Sequence, residues 1–119
     1  MNNNKSLGNW GEDLAVKYLL QKSYIIMYRH WQKREGEIDI VAYDKNDRYL
    51  VFVEVKTRIS SQFGSPEESL SYKKKQSLGN IIMFYLQEAG YKNRYRFDLI
   101  TIKKTDHVKI THYKNLSLE

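Results

Sequence analysis

Residues 49–55, YLVFVEV, are apolar at nearly every position, so a strand formed there is apolar on both of its faces. Side chains alternate along a strand, which puts Val51, Val53 and Val55 on one face and Leu50, Phe52, Glu54 and Lys56 on the other. Such a strand belongs in the centre of a sheet with a layer packed on each side. A chain of 119 residues then has room for one α/β domain with a modest core, expected to span residues 1–119. The longest break, RISSQFGSP at 58–66, is too short for a linker between domains.

The elements around this strand follow from periodicity and turn chemistry. A helix is expected over about Leu7–Gln21, then strands over Tyr24–Trp31, Glu37–Tyr43 and Tyr49–Arg58. A long helix is expected over Pro66–Glu88, started by Ser65, Pro66 and Glu68 as a capping box and stopped near Gly90. Gly79 marks a place where that helix is open to a local break. A strand over Tyr95–Ile102 and a weaker one over Val108–Tyr113 complete the order.

Two of the strands carry carboxylates where a core residue belongs. In the strand over 37–43, Ile38, Ile40 and Ala42 are expected on one face, with Glu37, Asp39, Val41 and Tyr43 on the other. A four-residue turn at Lys45–Arg48 pairs Tyr43 with Leu50, which sets Asp39 opposite Glu54 and Glu37 opposite Lys56. Like charges facing each other destabilise a sheet. A divalent cation between them reverses the sign, and oxygen donors without cysteine suit Mg²⁺ or Mn²⁺. The plainer alternative is that Glu54 and Lys56 form ordinary ion pairs at the end of a sheet. Two acids opposed on central strands favour the metal. Glu37 reads as a salt-bridge partner of Lys56 in preference to an accessory ligand.

A third acid stands out on the first helix. At roughly 100° per residue, Ala15, Val16 and Leu19 share an apolar arc, and Glu12 falls within it. Taken alone, Glu12 is best read as a first-turn acid that favours the helix dipole and reaches solvent past the helix end. The other reading is a buried carboxylate, which needs a partner.

Charge points to the class of partner. Lysine and arginine total 20 against 14 acids, a formal charge of +6, and such a basic chain suits a polyanion. Arg29, His30, Lys33 and Arg34 precede the hairpin, and Lys73, Lys74 and Lys75 lie on the second long helix. Both clusters suit phosphate contacts, although a lysine triplet is as readily a solvated helix face. His107 and His112 read as surface residues. No run of about 18 apolar residues is present, so no membrane span is expected. The opening MNNNKSLGNW lacks a secretory apolar stretch, and cysteine is absent; both fit the cytoplasm.

Taken together, Glu12, Asp39 and the Glu54-Val55-Lys56 tripeptide resemble the PD-(D/E)XK nuclease superfamily. More closely, GNWGEDLAVKYL, GEIDIVAYD, VFVEVKTR, FGSPEESL and YRFDLITI, in that order from Gly8 to Ile102, resemble the YraN-like family of small bacterial proteins. The chain is also similar to archaeal Holliday junction resolvases, which share the helix glutamate. The resemblance implies a restriction-endonuclease-like αβββαβ core with a mixed central sheet flanked by helices. It implies that Asp39, Glu54 and the Val55 carbonyl bind Mg²⁺ or Mn²⁺, with Glu12 helping to hold the ion or its water. Lys56 would orient or activate the attacking water, or stabilise charge on the phosphate. The proline of the superfamily name is missing here, since Glu37-Ile38 precede Asp39.

The function expected is hydrolysis of DNA phosphodiesters, with branched or structured DNA as substrate and DNA preferred to RNA. Arg29, Arg34, Lys73 and Lys75 are the expected phosphate contacts, and a homodimer is compatible with this reading. The alternative is a non-catalytic nucleic-acid-binding module on the same scaffold. Asp98 matches the family but receives no chemistry from the sequence.

Overall fold

A computed structural model of the chain describes residues 3–59 and 69–119. The order is α1 (Asn3–Gln21), β1 (Tyr24–Lys33), β2 (Gly36–Asp44), β3 (Tyr49–Arg58), α2 (Tyr72–Ala89), β4 (Tyr95–Lys104) and β5 (Val108–Tyr113). This is the αβββαβ core, with β5 added at the end. The five strands form one mixed sheet in the order β1-β2-β3-β4-β5. Only the β3–β4 pair is parallel, with α2 as its crossover.

The doubly apolar strand is central and covered on both faces, as expected. Ala15 and Leu19 of α1 pack with Val51, Val53, Ile40, Ala42, Ile100 and Ile102. Leu78, Ile81, Ile82, Tyr85 and Leu86 of α2 pack with Leu50, Phe52, Val41 and Phe97 on the opposite face. Burying each large aliphatic or aromatic side chain of these layers contributes roughly 1.5–3 kcal/mol before chain entropy is subtracted.

The β2–β3 register is the expected one as far as Ile40–Val53: Tyr43 pairs with Leu50, and Asp44 with Tyr49, leaving Lys45–Arg48 as the turn, but the ladder ends before the expected Asp39–Glu54 and Glu37–Lys56 pairs. Asp44 builds that turn, since its Oδ1 accepts the Asn46 N–H at 3.0 Å and its carbonyl accepts the Arg48 N–H at 2.7 Å.

α2 begins at Tyr72. Ser71 caps it, accepting the Lys74 N–H on its hydroxyl at 3.1 Å. The expected capping box of Ser65, Pro66 and Glu68 lies outside the described residues. Gly90 ends the helix in the left-handed region (φ 64°), where the missing side chain removes the steric cost. The helix runs unbroken through Gly79.

One expectation fails at the start of β2. Ile38 packs on the α2 side with Val41, whereas Ile40 and Ala42 face α1. The partner strand shows the same reversal: Arg29, paired with Ile40, reaches α1, while Trp31, paired with Ile38, packs on Phe84 and Tyr85 of α2. Between them His30 adopts φ 51°, a left-handed conformation that breaks side-chain alternation. Asp39, opposite His30, therefore sits where the ribbon turns over.

Asp98 has a structural role. It is fully buried and accepts from Arg96 Nε at 3.0 Å and from the Asn115 N–H at 3.0 Å. His112 Nε2 lies 2.7 Å from it, and Arg96 also bonds Asp44 and the Tyr24 hydroxyl. The reading of His112 as a surface residue is thus corrected: its side chain is 5% exposed and ties β5 to β4.

Candidate active site

The β2–β3 ladder stops at Ile40–Val53. Beyond it β2 continues with β1 as far as Gly36, and β3 continues with β4 as far as Arg58. The sheet forks, and the acids occupy the fork.

Asp39 bridges it. Its Oδ2 accepts the Val55 N–H at 2.9 Å, so a carboxylate takes the place of a ladder carbonyl. From the pivot of the ribbon it meets both faces of the sheet. On the α2 side lies Glu54, whose carboxyl is pushed up to about 7 by burial and by the Asp39 carboxylate, against the opposing pull of Lys74 and Lys56. On the α1 side, Asp39 and His30 offer ligand atoms within 4.8 Å of one from Glu12.

Glu54 is 4% exposed. Lys56 Nζ and Lys74 Nζ approach its Oε2 at 3.4 and 3.5 Å. Among the described residues its Oε1 is buried with no donor, its near neighbour being the Asp39 carboxylate. A buried carboxylate oxygen without a donor is costly, and a cation is the partner that such an atom fits. The donor set of Asp39 and Glu54, oxygen-only and beside a Val55 carbonyl, fits a hard divalent ion.

Glu12 is not a first-turn acid. α1 starts at Asn3, so Glu12 lies well inside the helix and is 4% exposed. Burial raises its carboxyl above the ordinary value, opposed by Arg29 and His30 and reinforced by Asp39. Arg29 Nε lies 3.0 Å from Oε1, and His30 Nε2 lies 2.9 Å from Oε2. Gly11 sets the depth of the helix here: a side chain on it would collide with Thr57 Oγ1 of β3.

The expected phosphate contacts divide. Arg29 is committed to protein carboxylates, since Nη2 also bonds Asp13 at 2.6 Å. Arg34 lies exposed between β1 and β2, and Lys73 and Lys75 lie on the first turn of α2, on either side of Lys74. Glu37 does not meet Lys56. Past the fork the strands have parted, and Glu37 accepts from Gln32 Nε2 at 2.7 Å instead. Two residues gain a place at the site that the sequence did not give them: Lys74, treated there as one of three lysines on a helix face, and His30, grouped with the basic cluster. The signal available for both was only their distance along the chain from the acids.

A cleft of about 510 Å³ opens beside Lys56 and is lined by Gly8, Val55, Thr57 and Arg58 among others. A cleft of about 600 Å³, around Tyr43, Arg48, Tyr91 and Arg94, lies at the other end of β2. Of the two, only the smaller is lined by a residue of the Glu54-Val55-Lys56 tripeptide.

Residues 11–102 match the family described as Uncharacterised protein family UPF0102. This chain belongs to that family. A UPF0102 protein of Thermodesulfovibrio yellowstonii is 42% identical over 105 residues, covering 87% of this chain and 92% of the relative. One from Herpetosiphon aurantiacus is 38% identical over 121 residues, covering 97% and 96%. One from Clostridium botulinum is 40% identical over 101 residues, covering 83% and 80%. The segment matched to UPF0102 contains Glu12, His30, Asp39, Glu54, Lys56 and Lys74. Among solved structures, the EndoMS–dsDNA2 complex aligns with a TM-score of 0.45 at 15% identity, covering 73% of this chain. This chain spans about a third (34%) of that protein's length.

Proposed function

We propose that this UPF0102 protein is a metal-dependent endonuclease that hydrolyses DNA phosphodiesters, with branched or structured DNA as its substrate. The observation that carries this reading is the fork: two carboxylates on separate strands, one of them buried with an unpartnered oxygen, and a lysine two residues on. A binding module has no use for the desolvation cost of Glu54.

Asp39, Glu54 and the Val55 carbonyl would hold Mg²⁺ or Mn²⁺, with Glu12 supporting Asp39 from α1. A bound ion there supplies Lewis-acid polarisation of a phosphate oxygen and lowers the pKa of a water. The residues supply the rest. Asp39 is fixed by the Val55 N–H, which holds its carboxylate at the fork. Lys56, 25% exposed and lining the cleft, would orient the attacking water or meet negative charge developing on the phosphate. Water attacks phosphorus, the P–O bond to the leaving sugar oxygen breaks, and that oxygen takes up a proton. Arg34, Lys73, Lys75 and Arg58, exposed or half-buried, would track the DNA backbone.

The test is incubation of the purified chain with branched, nicked, flapped and linear DNA, with Mg²⁺, Mn²⁺ or chelator. Cleavage that needs the ion, and that Glu54→Ala and Lys56→Ala abolish while binding stays within about threefold, supports the reading, since phosphate contacts carry the affinity. Wild type that binds these DNAs tightly yet never cuts them would leave the binding module as the function.

A further inference from the structure

We infer that His30 is a metal ligand, forming with Glu12 and Asp39 a nitrogen-bearing cation position on the α1 side of the fork. This rests on the proposed reading of Asp39 as a metal ligand but not on cleavage. It adds to the Asp39–Glu54 position a donor type that hard oxygen sites lack.

Three observations carry it. The first is geometric. One ligand atom each from Glu12, His30 and Asp39 lies within 4.8 Å of the others. His30 Nε2 and Glu12 Oε2 are 2.9 Å apart. Two neighbouring donors bound at about 2.1 Å around an octahedral ion stand roughly 3.0 Å apart, so this pair already has the spacing of adjacent ligands.

The second is the backbone. His30 reaches Glu12 only because its φ of 51° reverses β1 at this residue. With regular alternation its side chain would face α2 with Tyr28, which packs on Tyr85.

The third is charge. An ion pair between Glu12 and His30 accounts for the 2.9 Å contact but not for Asp39. Glu12 already has Arg29 at 3.0 Å, yet Asp39 brings a second carboxylate oxygen within 4.8 Å of it. Two carboxylates and an imidazole gathered with ligand atoms within 4.8 Å of one another are explained by a shared cation. Glu54 Oε1, buried beside the Asp39 carboxylate with no donor among the described residues, points to a cation in the same fork. The His30 side chain is 52% exposed, so an ion enters from solvent on this side.

An imidazole shifts the preference among ions. Nitrogen donors suit first-row transition ions better than Mg²⁺, so this position favours Mn²⁺.

The experiment uses the full chain and Mn²⁺ itself. Pulsed electron paramagnetic resonance of bound Mn²⁺ should show nitrogen coupling from an imidazole in wild type, retained in Glu54→Gln and absent in His30→Ala. By calorimetry, His30→Ala should weaken Mn²⁺ by about tenfold or more and Mg²⁺ by less than about threefold, as loss of one nitrogen donor requires. His30→Asn serves if the alanine variant does not fold, and the wild-type spectrum decides the matter without either. Mn²⁺ bound in a form that depends on Asp39 but shows no nitrogen coupling overturns this inference alone. Failure of wild type to bind either ion overturns it together with the metal-dependent reading of the acids.

Discussion

Asp39 and Val55 are joined by a 2.9 Å hydrogen bond across a gap where the two strands no longer pair. An asparagine at 39 keeps an oxygen to accept that N–H but carries no charge.

Asp39→Asn is therefore expected to hold or raise the stability of the metal-free protein, by up to about 1 kcal/mol, because repulsion from Glu54 is relieved. It should also abolish stabilisation by Mg²⁺ or Mn²⁺. Thermal melts with and without each ion measure both effects, and an equal metal shift in mutant and wild type would refute the site.

Glu54 makes stability depend on pH. Its carboxyl is raised from 4.5 to about 7 on folding, by burial first and Asp39 second. Between those values the folded state holds more protons than the unfolded one, so stability falls as pH rises through this window and levels off above it. The loss attributable to this one group reaches on the order of 3 kcal/mol in metal-free protein. Glu54→Gln should flatten that part of the profile and be more stable than wild type at pH 8. Urea titrations at pH 5 and 8 in chelator decide it, and a wild-type profile parallel to the mutant's would contradict the assignment.

Gly11 has no room for a side chain against Thr57. Gly11→Ala should cost about 1–3 kcal/mol through overpacking. Part of that cost should return in the Gly11→Ala, Thr57→Ala double mutant, with a coupling of at least about 0.5 kcal/mol. Additive costs in the cycle would place the damage elsewhere.

Asp98 serves the fold and not the chemistry. Asp98→Ala strips Arg96 of its best partner at a fully buried position and should cost about 3–5 kcal/mol. Because the polar partners of Asp98 are Arg96, His112 and Asn115 and none of the three acids, metal affinity measured well below the melting temperature should stay unchanged.

Much of this was legible in the sequence because it depends on short-range rules. The doubly apolar 49–55 segment dictated a covered central strand, and a four-residue turn dictated the Tyr43–Leu50 register. The neighbourhood of Asp39 and Glu54 was anticipated from that register, although the strands part before the two pair and Asp39 reaches across the fork to Val55 instead. The missed features depend on events the local pattern does not signal. Nothing in YRHWQ announces that a histidine will take a left-handed φ, so the switch of Ile38 to the α2 side was invisible. Once the fork was missed, Glu37 was paired with the wrong residue. Lys74 reaches Glu54 only because α2 starts at Tyr72 and crosses the sheet at that level. Periodicity alone read Glu12 as a first-turn acid because α1 begins several residues before its apolar pattern does; only the family resemblance set it beside the other acids.

The connectivity of the sheet also sets an order of assembly. β1, β2 and β3 form an antiparallel meander with tight turns, whereas β4 reaches β3 only after the α2 crossover has folded back. Contacts that close short loops form early, and a parallel pairing waits for its long loop. The folding nucleus should therefore lie in the meander, with Val41 and Phe52 structured in the transition state and Ile100 still loose, a pattern that φ-values at these three positions would display. Glu12, His30, Asp39, Glu54 and Lys56 all belong to α1 and that meander, so the acids are brought together, with their mutual repulsion, before α2 delivers Lys74 to offset it.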